Sequence, residues 1–207
     1  MAKVKVLGLG HPRTGTKYTA ECLLSFGLEV GHEILYGDGI VAWQLVHPVG
    51  PWPYMPHLSK VHKERPEHEY LIYNLRDPKK SIPSIIFTEH DKDVSNRFIA
   101  QSLGIVERAN RVERAVLSIL RFDYLITQMK PDLVFRVEDE HDKLFEFAKK
   151  IHPSAEYAPP TNQRNARSHD GLVTLKEEIA SVPSEAKSMF NQFCIRNGYE
   201  PFFKINE

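Results

Sequence analysis

The segment Gly10-His11-Pro12-Arg13-Thr14-Gly15-Thr16 puts two glycines, a guanidinium and two hydroxyls between an alternating apolar run, Lys3–Leu9, and a stretch with helical spacing, Thr16–Phe26. A strand-to-helix turn of this kind aims unpaired backbone N–H groups at an anion, and phosphate is the anion that fits best. A second set of the same character, Arg76-Asp77-Pro78 with Ser84 further on, follows the apolar run Tyr70–Leu75. A guanidinium at a strand end and a hydroxyl on the next helix can converge on one doubly charged group. The interval from Gly10 to Gly15 matches the nucleotide-binding spacing GxxxxGK[ST], but position 16 is Thr and the lysine comes one place late, at Lys17. That displacement disfavours a magnesium-nucleotide loop.

Transfer chemistry at such a site needs a proton acceptor, and two residues compete for the role. A histidine needs little tuning to act as a base near neutral pH, which favours His62, in Lys60-Val61-His62. Glu33, in Gly31-His32-Glu33, follows the first helical segment. A metal is not needed to explain the pattern. The chain has ten histidines, yet His32-Glu33 and His68-Glu69 both lack the further His of HExxH, and no paired Cys/His spacing occurs.

The elements that must position these residues alternate in type. Strands are expected over Lys3–Leu9, Leu28–Val30, Tyr70–Leu75 and Asp132–Val137. Helices are expected over Thr16–Phe26, from Pro78 onward, in one or two pieces between Ser95 and Met129, from about Asp142 to Ile151, and over Ser184–Asn197. Asp38 reads as the cap of a further helix through Ile40, Val41, Trp43 and Leu45. The four prolines between His47 and Pro56 leave only a loop there, whose Trp52 and Tyr54 either cover a core edge or line an acceptor pocket. Strands alternating with helices imply an α/β fold with a mostly parallel sheet flanked by helices.

At 207 residues, 42% of them hydrophobic and 26% charged, the chain suits one compact domain over residues 1–207. Lys plus Arg and Asp plus Glu each number 27, so no overall basic field argues for nucleic acid, and any anion must be held by local geometry. Cys22 and Cys194 stand far apart and outside any CxxC pair, which fits reduced thiols. No window approaches the ~18 apolar residues of a membrane span, and no signal-peptide core is present, so a cytoplasmic location is expected.

Pro12-Arg13-Thr14-Gly15-Thr16 resembles the phosphosulfate-binding loop of the sulfotransferases that use 3′-phosphoadenosine 5′-phosphosulfate, PAPS: Pro, Lys or Arg, Ser or Thr, Gly, Thr after a first strand. Arg76 to Ser84 resembles the same family's 3′-phosphate motif, an Arg with a Ser eight residues later. The resemblance implies a three-layer P-loop-like fold and sulfuryl transfer from PAPS to a hydroxyl or amine, with adenosine 3′,5′-bisphosphate as product and no metal required. It assigns Arg13 to the sulfuryl group and the bridging oxygen, Thr14, Gly15, Thr16 and Lys17 to the 5′-phosphate, and Arg76 and Ser84 to the 3′-phosphate. Arg164 and Arg167, in the basic stretch Asn162–His169, match the place where family members close over the nucleotide. Glu33 falls where bacterial and Golgi-type members carry a glutamate base, and Lys60-Val61-His62 resembles the Lys-x-His of cytosolic members. The implied acceptor is a small molecule or carbohydrate. Two other readings stay open, a P-loop kinase of a small molecule and a nucleotide-binding module without catalysis.

Overall fold

The computed structural model describes residues 3–88, 94–104, 110–158, 172 and 175–204. Its strands are β1 (Lys3–Leu9), β2 (Val30–His32), β3 (Gly39–Val41), β4 (Glu67–Leu75) and β5 (Leu133–Arg136). Its helices are α1 (Thr16–Ser25), α2 (Pro56–Val61), α3 (Pro78–Thr88), α4 (Val94–Leu103), α5 (Arg111–Gln128), α6 (His141–Ile151), α7 (Lys176–Ser181) and α8 (Ser184–Arg196), with a 3-10 turn over Trp43–Val46. The chain forms two compact units, Met1–Arg76 with Leu125–Ala166, and Asp77–Tyr124 with Arg167–Glu207.

The first unit holds a five-stranded sheet in the order β2-β3-β1-β4-β5, every pairing parallel. This is the α/β architecture expected from the alternation of strand and helix patterns. One face carries Val6, Val41, Ile72 and Phe135, packed in a single cluster with Cys22, Leu23 and Phe26 of α1 and Leu144, Phe147 and Ala148 of α6. Leu7, Leu9, Ile40, Leu71 and Tyr73 on the opposite face are buried as well. Both faces are therefore covered, as parallel sheets require, and the arrangement is three-layered.

Two local expectations are corrected. Asp38 caps no helix: its carbonyl accepts from Lys5 N (3.0 Å) and Val6 N (2.9 Å), and its carboxylate accepts from Glu29 N (2.9 Å). Gly39–Val41 is a strand because it pairs in parallel with β1, Val6 N donating to Asp38 O and Ala42 N to Gly8 O (3.0 Å), and a Cβ at Gly39 would stand 2.0 Å from Val6 O. The helical spacing of Ile40, Val41, Trp43 and Leu45 thus belongs to a strand followed by a 3-10 turn. The second strand begins at Val30 rather than Leu28, because Leu28 N donates to Leu23 O (3.0 Å) and Gly27 N to Leu24 O (3.1 Å), closing the end of α1. The Pro-rich segment is a loop with Trp52 in the core, its Nε1 donating to His47 O (3.0 Å), while Tyr54 stays half exposed.

In the second unit, Asp77 caps α3 by accepting from Lys79 N (2.8 Å), and Pro78 fills the first helical position, where no N–H is needed. Asn110 Oδ1 accepts from Glu113 N (3.0 Å) to cap α5, and Arg111 Nε donates to Glu178 Oε1 (3.1 Å) to hold α7 beside that end. Asn191 of α8 exchanges two hydrogen bonds with the backbone of Phe203 (2.8 and 2.9 Å), and Arg196 pairs with Asp123.

Candidate functional site

The strand order creates the site. From β1 the chain runs through α1 to β2 and β3 on one side, then crosses to β4 and β5 on the other. In an open parallel sheet such a reversal leaves a crevice beyond the carboxyl ends of the strands, where ligands bind. Gly10–Gly15 leaves β1 there, and Arg76 leaves the neighbouring β4.

The loop is held from within and from β4. Thr14 Oγ1 donates to His11 O (2.6 Å), and Asn74 Nδ2 donates to Thr14 O (2.9 Å). Asn74 can do so because strand parity puts it on the same face as Ile72 and α1, next to where the loop leaves β1. Arg76 Nη1 donates to Arg13 O at 2.9 Å, joining the two basic motifs of the sequence. Arg13 and Gly15 both take left-handed backbone conformations, φ 72° and 92°. No side chain caps α1 at Gly15 and no acidic residue occupies its first turn.

Gly15 tolerates a side chain poorly. A Cβ there would lie 3.1 Å from Val137 Cγ1 in addition to requiring φ 92°. Gly15→Ala is expected to cost about 1–3 kcal/mol; a urea midpoint equal to the native one would show that the turn relaxes freely.

Thr16 is buried, and its Oγ1 lies 3.3 Å from His32 Nε2 at the end of β2. Burial pushes the His32 imidazole below its ordinary range, against the opposing pull of Glu33. Lys17 on α1 has its Nζ 3.9 Å from Glu21 Oε1 and half of its side chain exposed, and its positive charge also lowers the His32 imidazole.

Glu33 follows His32 at the carboxyl edge, with φ 57° and its N–H donating to Val41 O (3.1 Å). Its Oε1 accepts from Gln44 Nε2 (2.8 Å), and that nitrogen also donates to Pro53 O (3.1 Å). The residue before Glu33, His32, is the one that reaches Thr16. His62 lies elsewhere in the chain path: it ends α2, its N–H donating to Leu58 O (2.8 Å), on the segment leading into the amino end of β4. Ser84 belongs to the second unit and is buried on α3. Arg164 and Arg167 lie outside the described residues.

Sequence reading missed Asn74, His32, Gln44 and His11. The first three carry no local motif and matter only through partners far along the chain. His11 stands inside the loop and is fully buried; Pro12 O can only accept, so His11 Nδ1 donates to it (2.6 Å). Burial outweighs that hydrogen bond and pushes the His11 imidazole down to about 4. With its native pKa below the unfolded value near 6.5, the unfolded chain takes up the proton first as pH falls. Stability is therefore full above pH ~6.5 and is lost progressively toward the native pKa, by on the order of 3 kcal/mol. His32 and His68, both lowered chiefly by burial, act in the same sense. His11→Asn keeps a donor near Nδ1 without the titration, so urea midpoints measured across this window should fall less steeply by about one proton. An acid limb identical to the native one would remove His11 as a contributor.

Among the described residues no group of three or more His, Cys, Asp or Glu side chains could hold a metal ion, and no helix is long and apolar enough to cross a membrane. No family model, curated protein or solved structure matches the chain.

Proposed function

We propose that the protein binds PAPS at the β1–α1 turn and transfers its sulfuryl group to the hydroxyl or amine of a small-molecule or carbohydrate acceptor. The observation that carries the proposal is the hydrogen bond from Arg76 Nη1 to Arg13 O. It joins Arg76, at the end of β4, to the backbone of Arg13 in the β1–α1 turn, two residues far apart in sequence. A ligand with anionic groups at both ends suits that pairing, since each guanidinium can meet one end.

The in-line reaction then distributes as follows. The acceptor O–H or N–H gives its proton to Glu33 while the acceptor atom bonds to sulfur. The bond from sulfur to the bridging oxygen breaks, and its electron pair leaves with adenosine 3′,5′-bisphosphate. Arg13 and the N–H groups opening α1 stabilise the charge that builds on the leaving 5′-phosphate. Ser84, Arg164 and Arg167 enter the proposal on the family resemblance alone. Against the kinase reading, the lysine stands one place later than in a magnesium-nucleotide P-loop, at Lys17.

Calorimetric titration with adenosine 3′,5′-bisphosphate beside MgATP, with and without chelator, tests the proposal. Micromolar bisphosphate binding that ignores the chelator is expected. Binding of MgATP alone would move the protein to the kinases, and tight bisphosphate binding without transfer to a panel of alcohols, phenols, amines and sugars would make it a non-catalytic module.

A further inference from the structure

We infer that Gln44 is a positioning residue for the proton transfer: its side-chain amide fixes the Glu33 carboxylate, leaving the second carboxylate oxygen to meet the acceptor. The inference rests on the proposed role of Glu33 as base.

Gln44 lies in the 3-10 turn after β3 and is fully buried. Its Nε2 donates to both Glu33 Oε1 (2.8 Å) and Pro53 O (3.1 Å). Both partners are acceptors with Glu33 ionised, so the amide has one workable orientation; turned over, its oxygen would face a carboxylate and a carbonyl. The consequence is visible on its other side, where Gln44 Oε1 is buried without a hydrogen-bond partner. An orphaned buried acceptor lowers stability, and an apolar residue of similar volume would avoid that cost. A glutamine that serves packing alone has no reason to stand here; one that must present two N–H groups does.

The geometry at Glu33 points the same way. Its left-handed backbone, φ 57°, is uncommon for a residue with a long side chain and is maintained by the hydrogen bond to Val41 O and by the Gln44 contact. No described residue hydrogen-bonds to Glu33 Oε2. One oxygen is thus pinned and the other left available, one residue along from the His32 ring beside Thr16. Because the same amide holds Pro53 O, it also fixes the Pro-rich loop, with half-exposed Tyr54, beside the base.

Gln44→Met keeps the side-chain length, removes both donors and relieves the orphaned oxygen. The experiment measures its thermal midpoint, its bisphosphate affinity, and its release of labelled sulfate from PAPS with water as acceptor, alone and combined with Glu33→Gln. The variant should melt no lower than the native protein, bind bisphosphate within about twofold of it, and transfer at least roughly tenfold more slowly, on the scale of a misplaced catalytic group. In the Glu33→Gln background the same change should have no further effect, since the pair acts as a unit. Additive losses, or a native transfer rate in Gln44→Met while Glu33→Gln is slow, would overturn the role of Gln44 and leave the base in place. A native rate in Glu33→Gln, or no bisphosphate binding by the native protein, would instead sink the parent reading. A readout independent of turnover is the pH response of the Gln44 side-chain amide resonances. These should follow the Glu33 carboxylate in the native protein and lose that response in Glu33→Gln; a flat response in the native protein overturns the contact itself.

Discussion

Arg76→Ala should weaken adenosine 3′,5′-bisphosphate binding by about 2–5 kcal/mol, a loss of between one and four powers of ten in affinity. Two effects combine in that number. The guanidinium is half-buried at the end of β4, where a charged contact with a phosphate is only partly screened. It also holds Arg13 O at 2.9 Å, so its removal loosens the turn in which Arg13 and Gly15 keep their left-handed conformations. Only the second effect touches the folded state without ligand, and a single hydrogen bond contributes about 1 kcal/mol there. Isothermal calorimetry and a urea midpoint on the same variant separate the two. Arg76→Lys should recover the charge but not the forked geometry and fall between native and alanine. A dissociation constant unchanged in Arg76→Ala would remove this residue from the nucleotide site.

Glu33→Gln should lower sulfuryl transfer by roughly 10²-fold or more, the usual contribution of a positioned general base, while bisphosphate affinity stays near native. The substitution preserves shape, and the new amide oxygen can still accept from Gln44 Nε2, so the strained end of β2 has no cause to unfold. His62→Ala is the matched control: its place at the end of α2, on the approach to the amino end of β4, predicts turnover close to native. Slow transfer by His62→Ala with native turnover by Glu33→Gln would reverse the assignment, and native turnover by both would place the base elsewhere. Ser84→Ala, on α3, tests by affinity alone whether the 3′-phosphate assignment carried by the resemblance applies to this chain.

The elements that place Gly10–Thr16 and Arg76 were legible because each is encoded by contiguous residues. Alternating apolar residues marked β1, helical spacing marked α1, and Asp77-Pro78 marked the start of α3. The strand β3 was not legible, since three residues cannot display a period and Asp38 before them carries the chemistry of a helix cap. What makes Gly39–Val41 a strand is the carbonyl edge of β1, a partner that lies more than thirty positions earlier in the chain. The same distinction separates Glu33 from His62. Each is a candidate base from its neighbours in sequence; the parallel pairing of β2 with β3 puts Glu33 at the carboxyl edge of the sheet, and His62 ends α2.

By itself, then, the amino-acid sequence determined the alternation of strand and helix, the α/β class, and the two strand-to-helix turns, because backbone propensity and apolar period act over a few residues. The tertiary structure alone decided that Arg76 reaches Arg13, that Asn74 braces Thr14, that His32 stands beside Thr16, and that Gln44 holds Glu33. Those contacts follow from strand order and from the parity of side chains across paired strands, and both are fixed only when hydrophobic burial closes the sheet against its helices.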